Sequence, residues 1–419
     1  MLKNLLLLTA FAVVATAQPA PTEVKEESKE IDIKAFIQKS IDDLQNGKVD
    51  GASWVIKDRK QSPTGESFST LLVVPESDTN QTIDNNNSSK PVAMTDESDV
   101  LYEDLEGLSF AHDINYSKES FQATSTLTAL PEDDLTESEK KLVKKVIDEK
   151  ILVLHSDYNL KDKKYNLSFK DINTTAEKAT IVAKNIKATG LYDVEKPLDN
   201  SMKFTIDSLD ITPFTAEFLG DYLKMKNLKI TSTSSVKDTK LDFSYSIDID
   251  LYDANISKEH SKLSKLSVNM TFGNMDLATY KELEKFGKEN PTTTLENQKL
   301  QELTTKLLTS KGIYAEINNL TIGDLIVEGE KMGSANITAK VSLEENKELA
   351  AMIAMNPLMA LSSLNVDAKI ELSKEMLRAI MKDKRAGLLA ILPSKEVDGK
   401  IVYVIKYGKG KLTVNGQAL

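Results

Sequence analysis

The sequence has no cysteine, a single tryptophan and only three histidines in 419 residues. Without cysteine there is no disulfide framework, no thiolate nucleophile, no Cys-ligated zinc and no lipid-modified cysteine at the N-terminus. His112, His155 and His260 stand at no metal-ligand spacing with one another. "AHD" and "LHSD" place an acid near two of them, a common pairing in a charged chain. No G-x-S-x-G elbow, phosphate-cradling glycine loop, nucleotide fingerprint or zinc-binding helix occurs. Aromatic residues are 6% of the total, too few for the stacking platforms on which carbohydrate and single-strand binders rely. Basic clusters are also missing, and the net charge of -11 argues against nucleic acid or anionic headgroups as partners.

What is present begins with "MLKNLLLLTAFAVVATAQPA": one lysine, an uncharged run from Leu5 to Val14, then the small-x-small pattern Ala15-Thr16-Ala17. This is the plan of a secretory signal peptide over residues 1–17. An uncleaved anchor is the alternative reading, but the run is shorter than the roughly 20 residues a spanning helix needs. No later segment is long and apolar enough to span. Residues 18–30 are charged and aperiodic, which predicts a flexible leader. An exported chain without disulfides must draw its stability from core burial.

Ten asparagines lie in N-x-S/T, and five of these, Asn80, Asn86, Asn115, Asn173 and Asn255, also have aspartate two positions earlier. The pattern is similar to the extended acceptor of bacterial periplasmic oligosaccharyltransferases. A glycan needs an exposed site, so Asn80 and Asn86, inside "SDTNQTIDNNNSSK", are favoured over Asn173 and Asn255 beside strand-like runs. The periplasm is therefore the expected compartment.

The spacing of Ile33, Phe36, Ile37, Ile41 and Leu44 predicts an amphipathic helix closed by Gly47. The rest of residues 31–134 reads as irregular, with "FSTLLVVP" as one short strand and the Asn-rich tract as a disordered loop. A second helix is expected from Thr136, where a capping box with Glu139 precedes Leu142, Val143, Val146 and Ile147. Residues 135–419 then read as one β-rich domain of period-two strands. In "KLDFSYSIDIDLY", Leu241, Phe243, Tyr245, Ile247, Ile249 and Leu251 share one face, and Asp242, Ser244, Ser246, Asp248 and Asp250 the other. One dry and one wet face mean antiparallel pairing. The expected fold class is α+β: a large, mostly antiparallel, twisted sheet of meanders with amphipathic helices covering one face. Two strand-to-helix units recur, "LSVNMTFGNMDLATYKELEKF" and "LNVDAKIELSKEMLRAIM", with caps expected near Asp276 and Ser373. "YGKGKLTVNGQAL" reads as a closing strand whose Gly416 turns the terminus away.

These C-terminal phrases, with "NNLTIGDLIVEGEKMGSANITAKVSL" upstream, resemble the YdgA-like family of bacterial envelope proteins of unknown function over about residues 200–419. "GASW" at Gly51–Trp54 is similar to that family's N-terminal segment. The resemblance implies a fold and a compartment, and it carries no catalytic residue, metal site or cofactor.

The residues favour a non-catalytic envelope scaffold or binding protein whose partner is another envelope protein or a lipid-like ligand. Leu349 to Leu364, uncharged and Met-rich, reads first as apolar cover for the core; where exposed, it offers Met352, Met355, Leu358 and Met359 as an adaptable apolar surface. The alternative is a periplasmic hydrolase built on scattered acids or His155. Asp248 and Asp250, paired on one strand face, read as a solvated surface.

Overall fold

The computed structural model describes residues 32–46, 48–49, 52–73, 106–131, 137–176, 179–193, 195–196, 198–212, 220–256, 258–290, 297–344, 361–382 and 391–419. Antiparallel strand dominates it, at 63% strand against 18% helix, which places the chain in the α+β class with a large open sheet. The chain divides into two compact units, Met1–Thr189 and Gly190–Leu419.

In the first unit α1 (Ile33–Asn46) occupies the span its periodicity predicts, and Ile33, Ile37 and Ile41 are fully buried. It contacts β2 (Ala52–Ser62). From β1 (Lys48–Val49) the chain runs as an antiparallel meander through β2, β3 (Gly65–Val73), β4 (Ser109–Tyr116), β5 (Ser120–Ala129), β6 (Val153–Asn159) and β7 (Lys164–Phe169). The helix α2 (Glu137–Asp148) joins β5 to β6 and buries Val143 and Val146. A hairpin of β8 (Ile172–Ala176) and β9 (Ala179–Lys184) follows, and β10 (Lys187–Tyr192) pairs with β7.

Two expectations are corrected here. Five strands occupy residues 48–129, where the sequence reads as irregular around a single strand. In β2 a bulge between Lys57 and Lys60, with Asp58 at φ 54°, breaks the period-two pattern. In β4 the polar His112 stands between Phe110 and Ile114 on the less exposed face, and in β5 Ala123 and Ser125 stand between Phe121 and the buried Leu127, so small and polar groups interrupt each apolar face. The boundary also falls at residue 189 rather than 134, because β6 pairs with β5 along Ser120–Thr126 and so belongs with the strands before it.

His112 shows the polar solution in that meander. Its Nε2 lies 2.9 Å from the Thr70 hydroxyl and its Nδ1 2.8 Å from the Ser125 hydroxyl, one on each flanking strand. The ring stacks on Phe68 at 4.9 Å between centroids. Burial pulls its pKa from 6.5 down to about 4, against the opposing charge of Asp113. Nearby, Arg59 donates to the buried Glu66 carboxylate at 2.6 and 2.9 Å and to Gln38 at 2.6 Å, tying α1 to the β2–β3 hairpin.

The second unit is a longer meander. Its order is β11 (Asn200–Thr212), β12 (Tyr222–Lys237), β13 (Lys240–Ile256), β14 (Glu259–Asp276), β15 (Tyr314–Val327), β16 (Glu330–Leu343), β17 (Leu364–Leu372), β19 (Lys400–Gly408), β20 (Lys411–Val414) and β21 (Gln417–Ala418). Both strand-to-helix units are present. Asp276 caps α3 (Leu277–Glu289) by accepting from the Thr279 amide at 2.9 Å, and Ser373 caps α5 (Lys374–Met381) by accepting from the Met376 amide at 3.1 Å. Ser373 Oγ also accepts from the Ser334 amide at 3.0 Å, so the cap is stitched to β16. That approach requires a glycine at 333: its φ is +87°, and a Cβ there would stand 2.2 Å from Ser373 Oγ. A further helix, α4 (Gln298–Leu308), is capped by Asn297 and places Leu300, Leu303 and Leu307 at helical spacing.

The closing phrase also differs from expectation. Asn415-Gly416 adopts positive φ at both positions and turns the chain back, so that β21 pairs with β20 and the Leu419 amide donates to the Leu412 carbonyl. Asn415 does a second job. One edge of β19 is shared between β20 and the short β18 (Lys395–Val397), and the Asn415 side chain fills the gap between them. Its Oδ1 accepts from the Val404 amide at 3.0 Å, and its Nδ2 donates to the carbonyls of Pro393 and Val402 at 2.8 and 3.0 Å.

Two measurements test this reading. Asn415→Asp keeps the shape but removes two donations and sets a carboxylate against two carbonyls. Unfolding in denaturant should show a loss of about 2 kcal/mol or more, and an unchanged midpoint would refute the plug. For His112, the unfolded state takes up a proton as pH falls below 6.5 while the folded state resists until about 4. Stability should therefore be intact above 6.5 and fall by up to about 3 kcal/mol on acidification to 4, a slope that His112→Gln should flatten.

Candidate functional site

Register, more than any single strand, builds the feature that stands out in the second unit. Phe204, Ile230, Ile247, Val268, Leu320, Ile337, Ile370 and Tyr403 are successive cross-strand partners from β11 to β19. Paired residues in an antiparallel ladder point to the same side, so this is one apolar row crossing eight strands. A parallel row holds Tyr245, Met270, Ile317 and Ala339.

The described helices cover this face only at its ends. Phe243 packs on Tyr280 of α3 at 5.6 Å between ring centroids, and Leu241 is fully buried there. At the other end α5 seals a core of Ala335, Leu372, Met376, Tyr403 and Val414. Lengths explain the gap. The 17 residues of β13 extend about 55 Å at roughly 3.3 Å each. α3, α4 and α5 have 13, 11 and 8 residues, so none of them reaches beyond about 20 Å at roughly 1.5 Å per residue. In between, Ile230, Ile247, Val268, Leu320 and Ile337 are half-buried, and Tyr245, Phe272 and Val341 are 39, 43 and 39% exposed. The expected dry face is thus dry at its ends and accessible in its middle.

The reverse face carries a matching polar row. Lys229 approaches Asp248 at 3.9 Å, and Asp248 accepts from Ser267 at 2.8 Å. Ser267 accepts from Asn319 at 3.2 Å, Thr321 donates to Asn319 and Asn336, and Asn336 donates to Glu371, whose partner is Lys369. The hydrogen bonds from Lys369 and Asn336 hold the Glu371 carboxyl below the usual range. Asp248 is therefore one link in a network, while Asp250 accepts from Asn227 at 2.7 Å.

The other sequence candidates are dispersed. His155 is exposed, with its Nδ1 3.2 Å from the Thr124 hydroxyl, and among the described residues no carboxylate bonds its ring. His260 Nε2 lies 3.0 Å from Asp253 Oδ1, which also accepts from Tyr222 at 3.0 Å, with Lys262 at 3.8 Å from the other oxygen. Burial raises the Asp253 pKa, but the hydrogen bonds from His260 and Tyr222 outweigh it and hold the carboxyl low. Among the described residues no group of three His, Cys, Asp or Glu side chains is placed to hold a metal ion.

Asn115 and Asn173 are exposed but lie inside β4 and β8. The Asn255 side-chain amide, at the end of β13, donates one N–H to the Gly220 carbonyl at 3.2 Å. Asn80, Asn86, Met352, Met355, Leu358, Met359 and the N-terminal apolar segment lie outside the described residues. None of the described helices is long and apolar enough to cross a membrane. Sequence reading found the alternation within β13 but missed the row, since partners as distant as Val268 and Leu320 are aligned only by pairing.

No curated protein and no solved structure matches this chain. A family model, described as a bacterial protein of unknown function (DUF945), matches residues 92–388. The match begins more than a hundred residues before the stretch that carries the sequence resemblance, and it reaches into the first unit. Covering well over half of the sequence, it shows that the chain belongs to this DUF945 family of bacterial proteins.

Proposed function

We propose that the protein is an exported, non-catalytic binding protein of the bacterial cell envelope that takes the acyl chain of a lipid along the middle of its apolar sheet face. The observation carrying this reading is the half-exposed row Ile230, Ile247, Val268, Leu320 and Ile337, flanked by the exposed Tyr245 and Phe272. Export is supported by the signal-like first 17 residues, and an envelope role by the resemblance to YdgA-like proteins. Contiguous accessible apolar surface is costly in water and marks ligand or partner sites.

The size of the row suits the ligand. Five strands at roughly 4.8 Å spacing span about 19 Å, the reach of an extended acyl chain. A chain lying on an open face shields only one side. At about half of 0.8 kcal/mol for each of about 16 methylenes, the gross gain is about 6 kcal/mol. After the cost of association this supports weak, exchangeable binding rather than permanent capture. The hydrolase alternative would have to be built on His155, whose Nδ1 lies 3.2 Å from the Thr124 hydroxyl.

Protein purified from envelope fractions should release acyl lipid on solvent extraction, and a fluorescent fatty acid should bind it with micromolar affinity or weaker. Val268→Asp should abolish that binding at some cost in stability, and the milder Ile247→Ser should weaken it with a near-native melting profile. A folded protein that carries no lipid and ignores the fatty acid would remove the reading. Turnover of any envelope substrate that disappears in His155→Ala would replace it with the hydrolase.

A further inference from the structure

The second unit has a concave site that this reading does not use. On the polar side of the sheet, at the end where β16 finishes and β17 starts, a depression of about 420 Å³ is lined by Lys340, Ser342, Asn365, Asp367, Lys406, Gly408, Lys411 and Thr413, with Val366 and Tyr407. The volume falls in the range of roughly 300–1,000 Å³ that small-molecule sites occupy. Register makes it a grid. Lys340, Asp367, Lys406 and Thr413 form one cross-strand row, and Ser342, Asn365, Gly408 and Lys411 the next.

We propose that this depression binds an acidic sugar, with its carboxylate beside Lys406 and Lys411 and its hydroxyls on Ser342, Asn365 and Thr413. The charges of the grid point this way. Lys340 is held by Glu316 at 2.9 Å and rests 4.5 Å above the Tyr314 ring, and Lys406 is 3.7 Å from Asp367. Lys411 has no carboxylate within ion-pair distance among the described residues. Of the three lysines in this lining, it is the one without a carboxylate partner among the described residues, and it stands opposite the bare backbone of Gly408.

The floor fits the same ligand. A Cβ at 408 would stand 2.8 Å from Asn365 Oδ1, so glycine is what lets the Asn365 amide lie over the strand. That amide donates to Glu344 at 3.3 Å and leaves its carbonyl oxygen facing Gly408. Three neutral hydrogen-bonding side chains between lysines match a ligand with hydroxyls around one acid group. A bare inorganic anion would leave Ser342, Asn365 and Thr413 unused. The site lies on the opposite face from the apolar row, so its failure and the failure of lipid binding are separate results.

The test is titration of the folded chain with glucuronate, glucose and inorganic phosphate, followed by NMR shifts or calorimetry. Glucuronate should bind in the millimolar range, more weakly as salt rises, while glucose should not bind. Lys411→Gln should lower glucuronate affinity by about tenfold, the scale of one charge-assisted hydrogen bond. It breaks no ion pair of the fold, so a loss cannot be ascribed to unfolding. Asp367→Asn should raise affinity by removing the one carboxylate in the lining. Absence of glucuronate binding at about 100 mM, well above the millimolar range expected of this site, overturns the proposal. So does equal binding of phosphate and glucuronate, or unchanged affinity in Lys411→Gln.

Discussion

Cross-strand registration is the constraint on which the larger unit depends. Pairing runs from β11 to β19 with bulges at Leu241/Phe243, Asn269/Met270 and Ile317/Leu320, and between them a residue's face is shared by its partner in the neighbouring strand. Ile247 and Asp248 are adjacent in sequence, yet one belongs to an apolar row of eight strands and the other to a polar network reaching Glu371. A slip of one residue anywhere would exchange the two faces from that strand onward. The two rows hold the register jointly, since a shifted strand would put aspartate among the isoleucines and leave the serine and asparagine partners unpaired.

Local devices protect that register where the sheet meets other elements. Capped helices leave β14 and β17 at opposite ends of the sheet, each begun by a short polar side chain that accepts an otherwise unpaired amide. Ser373 accepts from both its own helix and β16, which is feasible only because Gly333 brings the two backbones together. At the far edge Asn415 fills a break that two short strands leave on β19. An amide is suited to that position because it accepts on one side and donates twice on the other. The helices are short relative to the strands, so burial is complete at the ends and partial between them. The same disparity that weakens the core exposes the surface on which the functional reading rests.

The smaller unit adds polar groups to an apolar core. Around buried Phe68, Leu72, Leu127 and Leu154, strands are also tied by polar groups satisfied across them, with His112 neutral between two hydroxyls and Glu66 neutralised by Arg59. Such groups look like loop composition in a linear sequence. Their membership in a sheet is visible only when Thr70, His112 and Ser125 are placed side by side.

The sequence by itself determined the elements whose signal is local: the amphipathic helices α1 and α2, the caps Asp276 and Ser373, and the alternating strands that made an antiparallel α+β fold the only economical packing. Each depends on contacts within a few residues, where spacing and capping chemistry suffice. Tertiary structure alone decided which strands are partners, where one unit ends, that Asn415 closes an edge, and that five half-exposed apolar residues from five strands lie in a line. Those outcomes depend on register and on the relative lengths of helix and strand, quantities that exist only once distant segments have paired.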